Sequence, residues 1–126
     1  MEYPRILFWY RKDLRVNDNK ALIKALALSK AITSIYIFDE NYPFDFNSKS
    51  RAWFLSESLK ELNENWEKAG SRLLFQKGSP ANLIPFIAKK INAKYIFWNK
   101  SIEPYEIERD EKIKADLKNS NIEIID

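Results

Sequence analysis

The residues of this chain that could do acid–base chemistry are carboxylates, and two charged stretches stand out among them. One stretch runs from Glu103 to Asp110, and paired carboxylates of this kind can exchange protons with a substrate. Acidic residues at a helix start also stabilise the helix through its dipole, which is the interpretation we favour for Glu106 and Glu108. The other stretch mixes both signs of charge and is typical of an ion-paired loop; its charged members are Arg11, Asp13, Arg15 and Asp18.

The composition excludes several common catalytic chemistries. The 126 residues include no His and no Cys, which removes triad hydrolysis, imidazole–metal catalysis, thiolate chemistry and disulfides. The glycines are Gly70 and Gly78, and neither lies in a G-x-G-x-x-G or P-loop pattern, so a dinucleotide-binding enzyme is disfavoured. Ser79 and Pro80 predict a helix start, with anion binding at its amides as the less favoured alternative.

Charge is spread along the whole chain. The 21 basic and 18 acidic residues give a net charge of +3, which permits an acidic partner without requiring one. No basic cluster interleaved with aromatics stands out in the linear sequence, so we expect a mixed surface and no dedicated DNA-binding stripe. No apolar run is long enough to span a membrane and no signal peptide is recognisable. The expected location is cytoplasmic, with no membrane partner.

Apolar periodicity predicts five strands and four helices in strict alternation. The predicted strands are 5–10, 32–38, 72–76, 95–98 and 122–125. The predicted helices are 20–30, 51–69, 80–91 and 104–118. Asp18 or Asn19 is expected to cap the first helix, and Pro85 is expected to bend the third helix or delay its start. The apolar face expected for the first helix is Leu22, Ile23, Leu26 and Ala27, and that of the second is Leu55, Leu59, Leu62 and Trp66.

Short connections between alternating strands and helices require parallel strands joined by right-handed crossovers. The predicted fold class is therefore α/β: a Rossmann-like, doubly wound, five-stranded parallel sheet in the order 3-2-1-4-5, with helices on both faces. We expect one domain, residues 1–126, and its final apolar strand is typical of a domain cut from a longer protein. The expected core is Ile6, Leu7, Phe8, Ile35, Ile37, Leu74, Ile96 and Phe97, with Trp9, Trp66 and Trp98 as core fillers.

Two segments resemble signatures of the DNA photolyase and cryptochrome family. The segment from Trp98 to Asp110 is similar to the family's Trp-Asn-x-x-x-Glu-Pro-Tyr-x-x-x-Arg-Asp pattern. The earlier segment resembles the family's N-terminal signature, and Tyr10 stands where the family usually has Phe or another large residue. The matching positions of that signature are Trp9, Arg11, Asp13, Leu14, Arg15, Asp18, Asn19, Ala21 and Leu22.

The resemblance implies the N-terminal, light-harvesting α/β domain of a deoxyribodipyrimidine photolyase. Such an enzyme is a flavoprotein lyase that uses FAD in a helical C-terminal domain to repair pyrimidine dimers in DNA. This chain contains none of the FAD-binding residues, so by itself it is expected to be inactive. It is expected to be monomeric, to pack on the FAD domain and to meet damaged DNA only through the full-length protein. A signalling cryptochrome and a free-standing Rossmann-like nucleotide-binding domain are the alternatives.

The resemblance also implies a site for an antenna chromophore at the carboxyl ends of strands two and four, where open α/β sheets bind ligands. Aromatic and charged side chains would stack on the pigment and hold its polar groups. Deazaflavin, FMN and methenyl-tetrahydrofolate are all candidates, and Ser101 departs from an acidic residue found in some deazaflavin-binding relatives. Local ion pairing of Arg51 and Glu103 is the structural alternative. The predicted site residues are Tyr36, Phe38, Asp39, Arg51, Glu103 and Arg109.

Overall fold

Five parallel strands form one sheet in the order β3-β2-β1-β4-β5, as predicted. The computed structural model describes residues 3–11, 19–41 and 49–126, with side chains for all of these except 49–54. The charged-loop residues Asp13, Arg15 and Asp18 lie outside the described residues. The elements in chain order are β1 (Ile6–Tyr10), α1 (Lys20–Leu28), β2 (Ile32–Asp39), α2 (Lys49–Lys68), β3 (Leu73–Gly78), α3 (Pro80–Lys90), β4 (Tyr95–Phe97), α4 (Pro104–Asp116) and β5 (Glu123–Ile125).

The helices cover both faces of the sheet, which confirms the predicted doubly wound α/β fold. Every residue of β1 is buried, as expected for the central strand of a parallel sheet that is covered on both sides. Alternate side chains of the strands enter two cores. One core is shared with α1 and α2 and includes Phe8, Leu62 and Trp66, and the other is shared with α3 and α4 and includes Ile96 and Ile113.

The predicted core residues are buried, with one exception. Leu74 is half-buried because β3 is an edge strand. Trp9, Trp66 and Trp98 are at most 8% exposed, which confirms their assignment as core fillers. The side chain of Trp53 lies outside the described residues.

The predicted apolar face of α1 is partly wrong. Ile23 and Leu26 are more than half exposed, whereas Ala21, Leu22 and Ala25 are buried. Small alanines let the helix lie close to the sheet, so the contacting face is narrow and the larger residues fall outside it. Asn19 caps this helix as predicted, since its side chain accepts a hydrogen bond from the Leu22 amide.

The third helix begins at Pro80 and continues through Pro85, so the expected delayed start is wrong. Pro85 is itself buried, and packing against the sheet offsets the backbone hydrogen bond that a proline removes. Ser79 occupies the N-cap position, but its side chain makes no capping hydrogen bond. Among the described residues, no helix combines the length and apolar character needed to cross a membrane.

Candidate functional site

The strand order reverses between β1 and β4, because β1 leads through α1 to β2 on one side while β3 leads through α3 to β4 on the other. Open α/β sheets bind ligands in the crevice outside the carboxyl ends of the strands at such a point. Arg11 directly follows β1, and Trp98 and Asn99 directly follow β4. The side chains of these residues therefore decide what the crevice can hold.

Arg11 fills this crevice with an internal ion pair. Its Nη1 lies 2.6 Å from both carboxylate oxygens of Asp110 on α4, and its Nη2 donates to the backbone oxygen of Asn99. Both side chains are buried. Burial raises the pKa of the Asp110 carboxyl, and the hydrogen bond and charge of Arg11 oppose that rise without cancelling it. The pair joins the end of β1 to α4.

Asn99 extends the same network to the start of α1. Its Oδ1 accepts from the Ala21 amide at 3.1 Å, and its Nδ2 donates to Oδ1 of Asn19 at 2.7 Å. Asn19 in turn accepts from the Leu22 amide at 3.1 Å. In nucleotide-binding relatives of this architecture, free amides at this helix start bind phosphate. Here side chains of the protein already occupy the amides of Ala21 and Leu22.

Two tryptophans and two guanidinium groups lie beside the network. The rings of Trp9 and Trp98 meet edge to face with centroids 5.4 Å apart. The guanidinium carbon of Arg11 is 5.1 Å from the Trp9 centroid, and that of Arg109 is 4.7 Å from it. Such contacts stabilise buried cations. Trp9 thus helps to fix the position of both arginines.

Arg109 connects α4 to the end of β2. Its Nη1 lies 3.1 Å from Oδ2 of Asp39, and the same oxygen accepts the Tyr105 hydroxyl at 2.8 Å. Glu106 and Asp110 lie farther from the guanidinium, at 3.7 Å and 3.8 Å. Within the described part of the chain, the buried Nε and Nη2 atoms of Arg109 have no hydrogen-bond partner. Buried donors are normally satisfied, and here the carboxylates of Glu106 and Asp110 approach these two atoms at ion-pair distance without a hydrogen bond.

The predicted aromatic residues form a pair on the neighbouring strand. The rings of Tyr36 and Phe38 meet edge to face with centroids 5.0 Å apart, and Phe38 is 40% exposed. Both alternate with Asp39 along β2, so they lie on the α1 and α2 side of the sheet. Burial raises the pKa of the Tyr36 hydroxyl, and the charge of Arg109 partly offsets that rise. This electrostatic interaction links the aromatic pair to the Asp39–Arg109 contact.

The other predicted site residues occupy the edges of this region. Glu103 is the half-buried N-cap residue of α4, and its amide donates to the Ser101 hydroxyl at 3.1 Å. The Ser101 hydroxyl in turn donates to Glu106. Arg51 lies in the first turn of α2, and its side chain is outside the described residues. The structure therefore brings Asp39 and Arg109 together, and it leaves the role of Arg51 as a prediction.

The sequence reasoning missed the contacts of two residues in this region. Tyr105 shares Asp39 with Arg109, and its ring lies 5.7 Å from the guanidinium carbon. The spacing of Tyr105 and Arg109, four residues apart on one helix, is the signal that predicts such a contact. Glu106 is 3% exposed and bonds with Ser101, so it acts as a buried acceptor, and the dipole explanation for it is incomplete. Glu108 is exposed, and its dipole role stays a prediction.

The fold and the filled crevice define a class of protein. It is a doubly wound α/β domain whose switch point is closed by its own side chains and whose buried Arg109 is held toward the end of β2 by Asp39. A sequence model of the DNA photolyase family matches residues 6–126. The chain belongs to the DNA photolyase family.

Two curated relatives illustrate the breadth of that family. The chain is 37% identical over 121 residues to a deoxyribodipyrimidine photo-lyase of Synechococcus sp., covering 95% of this chain and 25% of that protein. It is 34% identical over 120 residues to a cryptochrome DASH of Synechocystis sp., covering 90% of this chain and 24% of that protein. The chain thus spans about a quarter of the length of these curated relatives.

A solved structure shows the same fold in an archaeal member. The photolyase of Sulfolobus tokodaii superposes with a TM-score of 0.81 at 30% identity, covering 95% of this chain and 28% of that one. That structure is described as containing two FAD molecules, with the implication of a novel light-harvesting cofactor.

Proposed function

We propose that this chain is the N-terminal, light-harvesting domain of a deoxyribodipyrimidine photolyase. The similarity to a Synechococcus photolyase over 95% of the chain supports this assignment. In the full-length protein, a helical domain would bind FAD, pack on this domain and act on pyrimidine dimers in damaged DNA. The full-length protein would be a monomer working in the cytoplasm. The domain proposed for residues 1–126 would supply light energy and no repair chemistry of its own.

The observation that carries the proposal is the pair of unfilled donors on Arg109. A guanidinium held by Asp39 and lying over the Trp9 ring is fixed in direction, and its Nε and Nη2 form no hydrogen bond with the described protein groups. An oxygen of a bound pigment would satisfy them. Pigments that bear carbonyl, carboxylate or phosphate oxygens supply such acceptors. Deazaflavin, FMN and methenyl-tetrahydrofolate all carry them, so these residues fit the group that the family implies.

The remaining residues would orient the pigment. The exposed ring of Phe38, with Tyr36 behind it, offers an aromatic surface for a flat ring system. Asp39 and Tyr105 hold Arg109, and Arg51 and Glu103 would provide further polar contacts from the starts of α2 and α4. A bound antenna pigment absorbs near-ultraviolet or blue light and passes its excitation energy to FAD.

A signalling cryptochrome is the second candidate, because a cryptochrome DASH matches over 90% of the chain. The free-standing nucleotide-binding alternative is disfavoured. The α1 amides of Ala21 and Leu22 that would bind phosphate are already bonded to Asn99 and Asn19. A phosphate at that position would have to break both bonds.

Pigment reconstitution tests the site. The folded chain is incubated with deazaflavin, FMN or methenyl-tetrahydrofolate, separated by gel filtration and scanned for absorbance. Arg109→Lys keeps the charge beside Asp39 but loses the forked donors, so retention of the preferred pigment should fall at least about tenfold. Arg51→Ala should also reduce it, whereas Arg72→Ala, at the opposite edge of the sheet, serves as the control. Retention unchanged in both site variants would remove these residues from the proposed site.

Cofactor retention and repair test the domain assignment. The purified chain should neither retain FAD nor repair thymine dimers under blue light, since the groups for both are proposed to lie in a separate helical domain. Stoichiometric FAD on this chain, or light-dependent repair above a no-protein control, would contradict the assignment.

A further inference from the structure

A basic surface lies at the amino edge of the sheet, opposite the proposed pigment site. Arg5 precedes β1 and Lys94 precedes β4, and the two strands pair with Ile6 level with Tyr95. The Lys94 amide donates to the Arg5 carbonyl at 2.8 Å, so their backbones are in direct contact. Both residues are exposed. They form two neighbouring cations on one edge of the molecule.

The end of α3 adds two more cations to this surface. The Arg5 side chain donates to the Ile91 carbonyl at 3.1 Å, which brings it against the helix terminus that carries Lys89 and Lys90. A tight turn then returns the chain to β4, with Asn92 in the left-handed region at φ 56°. Arg5, Lys89, Lys90 and Lys94, which we call the basic edge, are thus gathered around one turn.

An exposed aromatic ring accompanies the basic edge. Phe86 is 61% exposed on α3, and the Lys90 ammonium lies 6.0 Å from its ring centroid. A large exposed ring costs the folded protein hydration free energy without a compensating contact. Stabilisation of the helix C-terminus accounts for Lys89, Lys90 and Arg5, since Arg5 donates to the carbonyl of the C-cap residue. It does not account for the exposed Phe86 ring or for Lys94.

No carboxylate of the described residues forms an ion pair with any member of the basic edge. Helix α3 contains no acidic residue. Glu123 begins the neighbouring strand level with Tyr95, and its amide donates to the Lys94 carbonyl at 2.9 Å. The Lys94 ammonium itself lies 5.8 Å from the Tyr95 ring centroid. The cations of the basic edge are therefore not held in ion pairs by the described carboxylates.

We propose that the basic edge and Phe86 bind single-stranded nucleic acid, with the four cations on its phosphates and the Phe86 ring stacked on a base. Proteins commonly bind single strands with basic side chains along the phosphate backbone and with exposed aromatic rings stacked on the bases. The linear sequence hides this surface, because Arg5 lies 86 positions from the Ile91 carbonyl that it contacts. The inference does not depend on the pigment site, which lies at the other end of the strands.

Salt-dependent binding of a fluorescent oligo-dT to the folded chain tests the proposal. Four phosphate contacts on a single strand predict a slope of log affinity against log salt of about −2.8, or roughly 50-fold weaker binding at 200 mM than at 50 mM salt. Lys89→Gln with Lys90→Gln should reduce the slope to about −1.4 and weaken binding at least about tenfold at the lower salt. The control, Lys24→Gln with Lys60→Gln, changes the net charge equally on the other side of the sheet and should bind as the wild type does.

The aromatic contact has a separate test. Phe86→Ala should weaken oligo-dT binding by about fivefold or more without changing the salt slope, because stacking is not an ionic term. The same variant should bind an abasic strand as the wild type does. A wild-type salt slope near zero would overturn the proposal, and so would a control pair that weakens binding as much as the Lys89 and Lys90 pair. Phe86→Ala would overturn it by weakening the binding of both strands equally or of neither. Competition by polyglutamate that equals that of oligo-dT per charge would also overturn it.

Discussion

Removing the Asp110 carboxylate is expected to cost about 3–5 kcal/mol of unfolding free energy, because it breaks a buried ion pair from one side. Both carboxylate oxygens lie 2.6 Å from Nη1 of Arg11. Each of the two side chains is less than a tenth exposed to solvent. A guanidinium does not lose its proton in a protein. Asp110→Leu therefore leaves Arg11 charged in the interior without this carboxylate.

Removing Arg11 is expected to cost less, because a carboxyl group can neutralise itself by binding a proton. Burial already raises the pKa of Asp110, and Arg11→Met removes the hydrogen bond and charge that oppose the rise. A group whose pKa is raised in the folded state contributes stability that is present below its unfolded pKa of 3.8 and is lost as pH rises through the folded pKa. Relative to the wild type, Arg11→Met should thus be least destabilising in acid and more so toward neutral pH.

Replacing both members of the pair is expected to be nearly neutral. Burial raises the pKa of Asp110 by more than Arg11 lowers it, so the pair adds little net stability. The unfolding free energy of Arg11→Met combined with Asp110→Leu should therefore lie within about 2 kcal/mol of the wild-type value. Urea unfolding of the four proteins gives the coupling energy, and with a slope of about 2 kcal/mol/M, Asp110→Leu alone should lower the midpoint by roughly 2 M. Glu111→Leu, which removes an exposed carboxylate, is the control and should cost under about 1 kcal/mol. An Asp110→Leu cost below about 1 kcal/mol, or additive single costs, would refute the reasoning.

Three further predictions concern stability and use the same urea titration. Gly78→Ala should cost about 1–3 kcal/mol, because the backbone there has φ +148° and an added Cβ would lie 3.1 Å from Leu83; an unchanged midpoint would show that the strand end relaxes freely. Tyr10→Phe should cost about 1–3 kcal/mol, since the Trp66 indole donates to the Tyr10 hydroxyl at 3.0 Å within the core, and a smaller loss would imply a replacement acceptor. Ile23→Lys should stay within about 0.5 kcal/mol of the wild type because this side chain is 57% exposed, so a large loss would contradict the observed face of α1.

The sheet order followed from the sequence because alternation and handedness leave few topologies for five strands joined by helices. The buried face of α1 did not follow in the same way. Its sequence is apolar almost all round, so hydrophobic periodicity cannot choose between the side bearing Leu22 and the side bearing Ile23. The choice is made by close approach to the sheet, which favours Ala21 and Ala25.

Single residues of the candidate site could be predicted from the local sequence, but the contacts between them could not. Asp39 was predictable because it ends an apolar strand at the edge where ligands bind. Arg109 was predicted because it matches a position of the family motif. The contact between them joins residues 70 positions apart, and no spacing rule reaches that far. The basic edge was missed for the same reason, since Arg5 joins the lysines of α3 only after β1 and β4 pair.

The filled switch point explains where a ligand could bind in this fold. Arg11, Asp110 and Asn99 lock the crevice between β1 and β4 to the start of α1. A ligand placed there would have to displace a buried ion pair and two helix amide bonds. Asp39 draws Arg109 toward β2 and leaves two of its donors unfilled. For these reasons we propose the end of β2, beside the pair of Tyr36 and Phe38, and not the usual nucleotide position, as the place where a ligand binds.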